Sequence, residues 1–95
     1  MVVGVLKIAL ILPENHSLKG KRSVLRKIQA RVSNKFNISV TECGDQELWQ
    51  RALLGFGVVG SNARIVEATL RQVVEFVDRL GLAELGESDI RILHE

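Results

Sequence analysis

The sequence predicts an α+β domain of the ferredoxin-like class, with two helices on one face of a four-stranded antiparallel sheet. Three observations predict it: four short apolar segments have the character of strands, two longer ones have apolar residues at helical spacing, and their order is β-α-β-β-α-β. Two right-handed crossovers then place the first and third strands at the centre. A chain of 95 residues has room for one core, so we expect residues 1–95 to form a single domain.

The chain begins with a buried strand and a helix. Val2 to Leu12 is apolar on both faces apart from Lys7 and precedes Pro13, as is typical of a central strand. Ser17 is a favourable N-cap for a helix that continues to Lys35. This helix has one apolar stripe that would pack on the sheet, formed by Leu18, Val24, Leu25, Ile28 and Val32.

Two further strands follow the first helix. Phe36 to Thr41 alternates between apolar and polar residues, which predicts an edge strand, and residues 43–47 are predicted to form a turn. Arg51 to Gly60 is predicted to be the third strand, with Phe56 in the core. Gly55 and Gly57 leave its other face flat and open.

The last third of the chain contains a second helix and a short strand. The helix begins after Ser61 or Asn62, keeps its apolar spacing and ends at Gly81. Residues 82–87 are predicted to be a loop, and Asp89 to His94 the last strand.

Charge is distributed unevenly along the chain. The net charge is +2, but residues 1–41 carry +7 and residues 42–95 carry −5. The first helix has no acidic residue, and like-charged pairs such as Arg22 with Arg26 each cost a few tenths of a kcal/mol. A polyanion would offset this cost, so we predict an RNA- or ribosome-associated binding module. The predicted contacts are Lys19, Lys21, Arg22, Arg26, Lys27 and Arg31, with Trp49 and Arg51 as weaker candidates.

Lys21 differs from the other basic residues because it lies near the centre of the apolar stripe. Since it is only one turn from the helix N-terminus, we expect its stem to lie along the core and its ammonium group to reach water. Three alternatives to RNA binding stay open for the helix: a solvated face, a small-anion site at the N-terminus, and a docking surface for an acidic protein.

The turn before the third strand contains the only tryptophan, in a chain without tyrosine. Trp49 could be a hydrophobic lid over the hairpin, or it could stack on a base or anchor a partner. His16 could be a general base or a phosphate ligand, but it has no predicted carboxylate or thiol partner and is interpreted as a capping or exposed loop residue. Glu42, Asp45 and Glu47 are interpreted as a solvated acidic cluster without calcium-loop spacing.

Three segments of the chain resemble the YlxP-like family of small bacterial proteins of unknown function. They are Val2-Val3-Gly4-Val5-Leu6, the segment from His16 to Ser23, and Leu48-Trp49-Gln50-Arg51-Ala52. The resemblance covers essentially the whole chain and implies a ferredoxin-like fold without an established enzymatic activity. Genes of this family often lie near those for translation initiation and ribosome-binding factors, which implies an RNA or ribosome partner. No catalytic residue is carried over.

The enzymatic alternative is acylphosphatase-like chemistry, because that class shares the topology and uses an Arg in the first loop with an Asn on a strand. Arg22 and Asn37 could take these roles, but the Gly-rich loop that would hold the phosphate is missing. We therefore predict that the chain is not an enzyme.

Other classes of protein are disfavoured by composition. Cys43 is the only cysteine, so an internal disulfide and a Cys/His zinc cluster are excluded, and we expect a cytoplasmic protein without metal or cofactor. The apolar start lacks the basic region and cleavage site of a signal peptide and is shorter than the roughly 20 residues that span a bilayer. We expect no membrane association.

One face of the predicted sheet has no helix to cover it. An exposed apolar surface of this size is unusual for a monomer. We therefore predict a symmetric homodimer through the open sheet face, with sheets pairing face to face or edge to edge. The apolar residues of this face are Val3, Val5, Ala9, Ile11, Leu53, Val59 and Leu93.

Overall fold

The computed structural model describes residues 1–95, and its elements have the predicted order. They are β1 (Val2–Ile11), α1 (Leu18–Lys35), β2 (Ser39–Gly44), β3 (Arg51–Gly60), α2 (Ala63–Leu80) and β4 (Glu84–His94). The four strands form one antiparallel sheet in the order β2-β3-β1-β4, with β1 and β3 at the centre. The predicted ferredoxin-like α+β fold is confirmed.

The core lies between the two helices and one face of the sheet. Leu6, Ile8 and Leu10 of β1 are completely buried there, and β3 adds Leu54 and Phe56. Each fully buried aliphatic side chain contributes roughly 1.5–3 kcal/mol by leaving water. The helices contribute seven further core side chains, which are Leu25, Ile28 and Val32 from α1 and Val66, Leu70, Val73 and Val77 from α2.

Both helices begin and end where the sequence predicts. Ser17 Oγ accepts a hydrogen bond from Gly20 N at 3.0 Å at the start of α1. The side chain of Asn62 caps α2 by accepting from two backbone N–H groups of the first turn, at 2.9 and 3.1 Å. Gly81 has a φ of 66°, and this left-handed residue ends α2. Neither helix is long and apolar enough to cross a membrane.

Two strands differ in extent from the prediction. β2 begins at Ser39 and continues to Gly44, because residues 36–38 are not paired with β3. Phe36 instead packs edge-on against Phe76 of α2, with ring centroids 5.7 Å apart. β4 already begins at Glu84, within the segment predicted to be a loop. The prediction missed this part of the strand because an irregularity opposite Ala9 interrupts the alternation of its residues.

The open face of the sheet is less uniformly apolar than predicted. Val59 and Leu93 are 64% and 46% exposed, whereas Ala9 is 4% exposed because Gly86 of β4 approaches it closely. Lys7, near the middle of β1, is also exposed on this face, opposite Gly55 of β3. The glycines of β3 leave a shallow depression of about 320 Å³ beside it.

Candidate nucleic-acid interface

The outer surface of α1 carries five exposed basic side chains, which we call the basic face: Lys19, Arg22, Arg26, Lys27 and Arg31. None of the five forms an ion pair, and α1 has no acidic residue that could neutralise them. At a rise of 1.5 Å per residue, the basic face extends about 18 Å along α1, from Lys19 to Arg31. The basic face is therefore a cationic surface on the outer side of one helix.

Lys35, at the end of α1, has a different environment from the basic face. Its Nζ lies 5.2 Å from the centroid of the Phe76 ring, within the range of a cation–π contact. The contact joins the end of α1 to α2, so we do not include Lys35 in the basic face.

Lys21 is buried, contrary to the prediction that its ammonium group reaches water. The residue is 1% exposed, and Nζ donates hydrogen bonds to the carbonyl oxygens of Asp45 at 2.6 Å and Leu48 at 2.7 Å. Nζ also lies 3.1 Å from Glu42 Oε2. Burial of a charge requires such compensation. Lys21 is therefore a structural residue and does not belong to the surface that could contact phosphate.

The prediction that Glu42, Asp45 and Glu47 form a solvated acidic cluster is wrong for Glu42, which is largely buried. The residue is opposite Leu54 of β3, on the sheet face that the helices cover, and its side chain is 22% exposed. Oε2 is buried and has no hydrogen bond with favourable geometry, so the ion pair with Lys21 is its main compensation. Asp45 accepts from Arg51 Nε at 3.1 Å and is also paired. Only Glu47 of the three is exposed and without an ion pair.

The connection from β2 to β3 is fixed to the start of α1 by several hydrogen bonds. Lys21 Nζ donates to the carbonyl groups of Asp45 and Leu48 within it, and Asn15 Nδ2 donates to the carbonyl oxygen of Trp49. Gln50 Nε2 donates to Asn15 O at 3.1 Å, while Leu12 N donates to Gln50 O at 2.9 Å. Backbone that is bonded on both sides has little freedom to move. These bonds tie the connection to the start of α1.

Gly20 allows the close approach of Asn15 to α1. A Cβ atom at this position would lie 2.3 Å from Asn15 Oδ1, far inside van der Waals contact. Any larger residue would push Asn15 away from the carbonyl groups of Ser17 and Trp49 to which it donates.

The fixed connection presents an exposed aromatic side chain. Trp49 is 53% exposed and lies outside the core cluster, so it is not a buried lid. It lines a shallow depression of about 500 Å³ together with four neighbours. We call this the Trp49 patch, and its residues are His16, Leu48, Trp49, Gln50 and Arg51. Because His16 directly precedes the N-cap of α1, the patch borders the start of the helix that carries the basic face.

A larger cleft of about 690 Å³ separates the start of α1 from the end of α2. Its charged lining residues are Glu14, Asp78 and Glu84, and it contains no basic side chain. Carboxylates repel anions, so this side of the α1 N-terminus disfavours the small-anion site considered above.

The two residues of the acylphosphatase-like alternative are not brought together. Arg22 lies in the second turn of α1, whereas Asn37 follows the last residue of that helix. The helical stretch from Arg22 to Lys35 alone corresponds to about 20 Å. No site can contain both side chains.

Sequence reasoning missed the link between Lys21 and Glu42, although the sequence carries a signal for it. Lys21 falls within the apolar stripe of α1, and Glu42 continues the inward alternation of Ile38 and Val40. An ionisable residue in each of two core-facing patterns indicates a buried pair. The positions of Asn15 and Gln50 carried no such signal, because loop contacts depend on the tertiary arrangement.

The fold, the basic face and the Trp49 patch define a small ferredoxin-like protein with one cationic helix next to an exposed aromatic side chain. The chain belongs to the family described as "Protein of unknown function (DUF503)", whose model matches residues 3–90. It is 40% identical over 77 residues to the "Uncharacterized protein YlxP" of Bacillus subtilis (strain 168), a match that covers 81% of this chain and 84% of the relative. The predicted resemblance to the YlxP-like family is confirmed.

Proposed function

We propose that the chain is a non-enzymatic RNA-binding module of the bacterial cytoplasm that associates with the ribosome through the basic face. The observation that carries this proposal is the set of five exposed, unpaired basic side chains on a helix without acidic residues. Helices whose exposed face serves only solubility usually carry charges of both signs, which form favourable pairs at i,i+4 spacing. A surface of one sign is suited to a phosphate backbone, which carries one negative charge per nucleotide.

The Trp49 patch adds a second kind of contact to this surface. Aromatic side chains stack on unpaired bases with little dependence on sequence, contributing about 1–3 kcal/mol per base. Trp49 needs no rearrangement to do so, because the connection that presents it is already fixed by Lys21 and Asn15. We propose that a single-stranded segment follows α1 with its phosphates and places one base on Trp49.

The first test measures binding as a function of salt. Five phosphate contacts predict a slope of log K against log salt of about −3.5 for single-stranded RNA, with affinity on the order of 10⁻⁴ to 10⁻⁶ M near physiological salt. Fluorescence anisotropy with a labelled oligonucleotide would give both values. Binding that does not change with salt would contradict phosphate contact.

Recovery from a lysate distinguishes RNA from an acidic protein as the partner. The tagged chain is expected to retain ribosomal RNA, and ribonuclease treatment before capture should remove both the RNA and the ribosomal proteins bound with it. The protein-docking alternative would be favoured if an acidic protein stays bound after ribonuclease treatment and the untreated sample contains no captured RNA.

Trp49→Ala is expected to weaken binding of single-stranded RNA by about tenfold, because a stacked base contributes about 1–3 kcal/mol. The salt slope should stay the same, since no charge changes. Trp49→Phe is the matched control, because it keeps a ring that can stack. The half-exposed position means that neither variant should unfold the chain, which circular dichroism would check. Equal affinities for the Ala and Phe variants would exclude stacking at Trp49.

A further inference from the structure

The outer edge of β4 is unpaired along its whole length. This strand pairs only with β1, and the sheet ends there. Residues 88–94 are regularly paired with residues 8–2 of β1, and the one irregularity lies nearer the beginning of the strand. Exposed edges are normally blunted by Pro, Lys, bulges or a covering element. Residues 88–94 contain neither Pro nor Lys, and their charged residues Asp89 and Arg91 have opposite signs, so their outward backbone N–H and C=O groups can pair with another strand.

The charged residues of this edge are arranged so that two antiparallel copies of β4 would place opposite charges next to each other. Asp89 and Arg91 lie on either side of Ile90 and point to the open face, where they are opposite Lys7 and Val5 of β1. Their side chains are 61% and 74% exposed, and Arg91 Nε lies 3.3 Å from Asp89 Oδ2. An antiparallel strand related by a two-fold axis at Ile90 would place Asp89 opposite the partner's Arg91. The same axis repeats this pair, so two ion pairs would form.

We propose that two copies of the chain pair antiparallel through β4, with Ile90 at the two-fold axis, to form an eight-stranded sheet. The charges select this register. A shift to an axis at Asp89 or Arg91 would place two like charges directly opposite each other, which is destabilising. Because opposed residues point to the same face, the helices of both copies lie on the same side of the sheet.

The alternative dimer stacks the two open faces. Lys7 and Asp89 lie as cross-strand neighbours near the middle of that face, so stacking would take both charges out of water. Removing charges from water costs several kcal/mol per ion unless the pairing is excellent. Edge pairing leaves Lys7 in solvent, and for this reason we favour the β4 arrangement.

Sedimentation velocity of charge variants across the micromolar to millimolar range tests the proposal. Arg91→Asp replaces two attractive pairs by two repulsive ones and should raise the dimer dissociation constant by about tenfold or more. The doubly exchanged variant Asp89→Arg/Arg91→Asp recreates both pairs with reversed polarity and should dimerise like the original chain. Asp89→Arg also places a second positive charge opposite Lys7 of the same chain, so thermal unfolding would check that the variants keep the fold before their dimerisation is compared.

Val59→Asp separates the two arrangements, because Val59 lies on the open face and not at the β4 edge. It should leave the edge-paired dimer unchanged. A dimer that dissociates with Val59→Asp but not with Arg91→Asp would establish face stacking and overturn the proposal. A chain that stays monomeric at all concentrations, or an exchanged variant that fails to recover dimerisation, would also overturn it.

Discussion

Lys21→Met is expected to lower the free energy of unfolding by about 3–5 kcal/mol, the usual cost of removing one partner of a buried ion pair. Methionine fills a similar volume and keeps the apolar stem, so the loss comes from the charge and its three contacts. The carboxylate of Glu42 would stay partly buried without a counter-ion, and two carbonyl groups of the connection would lose their donor. For a domain with about 5–15 kcal/mol of total stability, this is a severe loss.

The matched control is Lys27→Met, the same substitution at an exposed position of the same helix. Surface changes of this kind are usually within about 0.5 kcal/mol. Urea denaturation of the two variants would measure the difference. Glu42→Gln in the Lys21→Met background removes the unpaired charge and should recover part of the loss. If the Lys21 and Lys27 variants unfold at the same urea concentration, Lys21 is not the buried anchor described above.

The central part of the fold could be predicted because its patterns are long and regular. β1 is apolar on both faces as central strands are, and α1 and α2 have a polar cap residue at the start and a clear stop at the end. The beginning of β4 could not be predicted, because an irregularity opposite Ala9 breaks the alternation that identifies a strand. β2 begins later than predicted for a related reason. Phe36 has an extended backbone, as a strand residue would, but it packs on Phe76 and is not paired with β3.

Sequence reasoning predicted which residues of the candidate site are charged, but it did not predict which of them are buried. Counting basic residues treats Lys21 and Lys19 alike, although one is buried by the connection after β2 and the other faces solvent. The place of Lys21 in the apolar stripe indicates its burial, but its hydrogen bonds depend on how Asp45 and Leu48 approach the helix, which no local pattern specifies. The same holds for the loop contacts next to Trp49, where Asn15 donates to the carbonyl oxygen of Trp49 and Gln50 donates to that of Asn15.

Apart from Lys35, the basic residues of α1 therefore divide into two kinds with different tasks. Lys21 faces inward and fixes the connection that presents Trp49, whereas the basic face points outward and remains free of ion pairs. This division links the stability of the fold to the shape of the proposed binding surface. A variant that weakens the Lys21 contacts should disturb the Trp49 patch before it changes the basic face, because the patch depends on those contacts.

Arg22→Glu/Arg26→Glu is expected to weaken RNA binding by about a hundredfold or more at moderate salt, with a salt slope less steep by about 1.4. Both side chains lie on the same part of the basic face, one turn apart, and both are exposed. The substitution removes two phosphate contacts and places two negative charges where the backbone would pass. The fold should persist, since neither side chain contributes to the core or to an ion pair.

The control must distinguish a loss of RNA affinity caused by the position of the new charges from one caused by the lower net charge. Arg64→Glu/Arg79→Glu makes the same change on α2, where both arginines are exposed and form no ion pair. Glutamate is favourable near the start of a helix and unfavourable near its end, so the two effects on stability should largely offset each other. Binding through the basic face predicts a large loss for the α1 variant and a small one for the α2 variant. Equal losses would mean that net charge alone attracts the RNA, and the basic face would then not be the binding site.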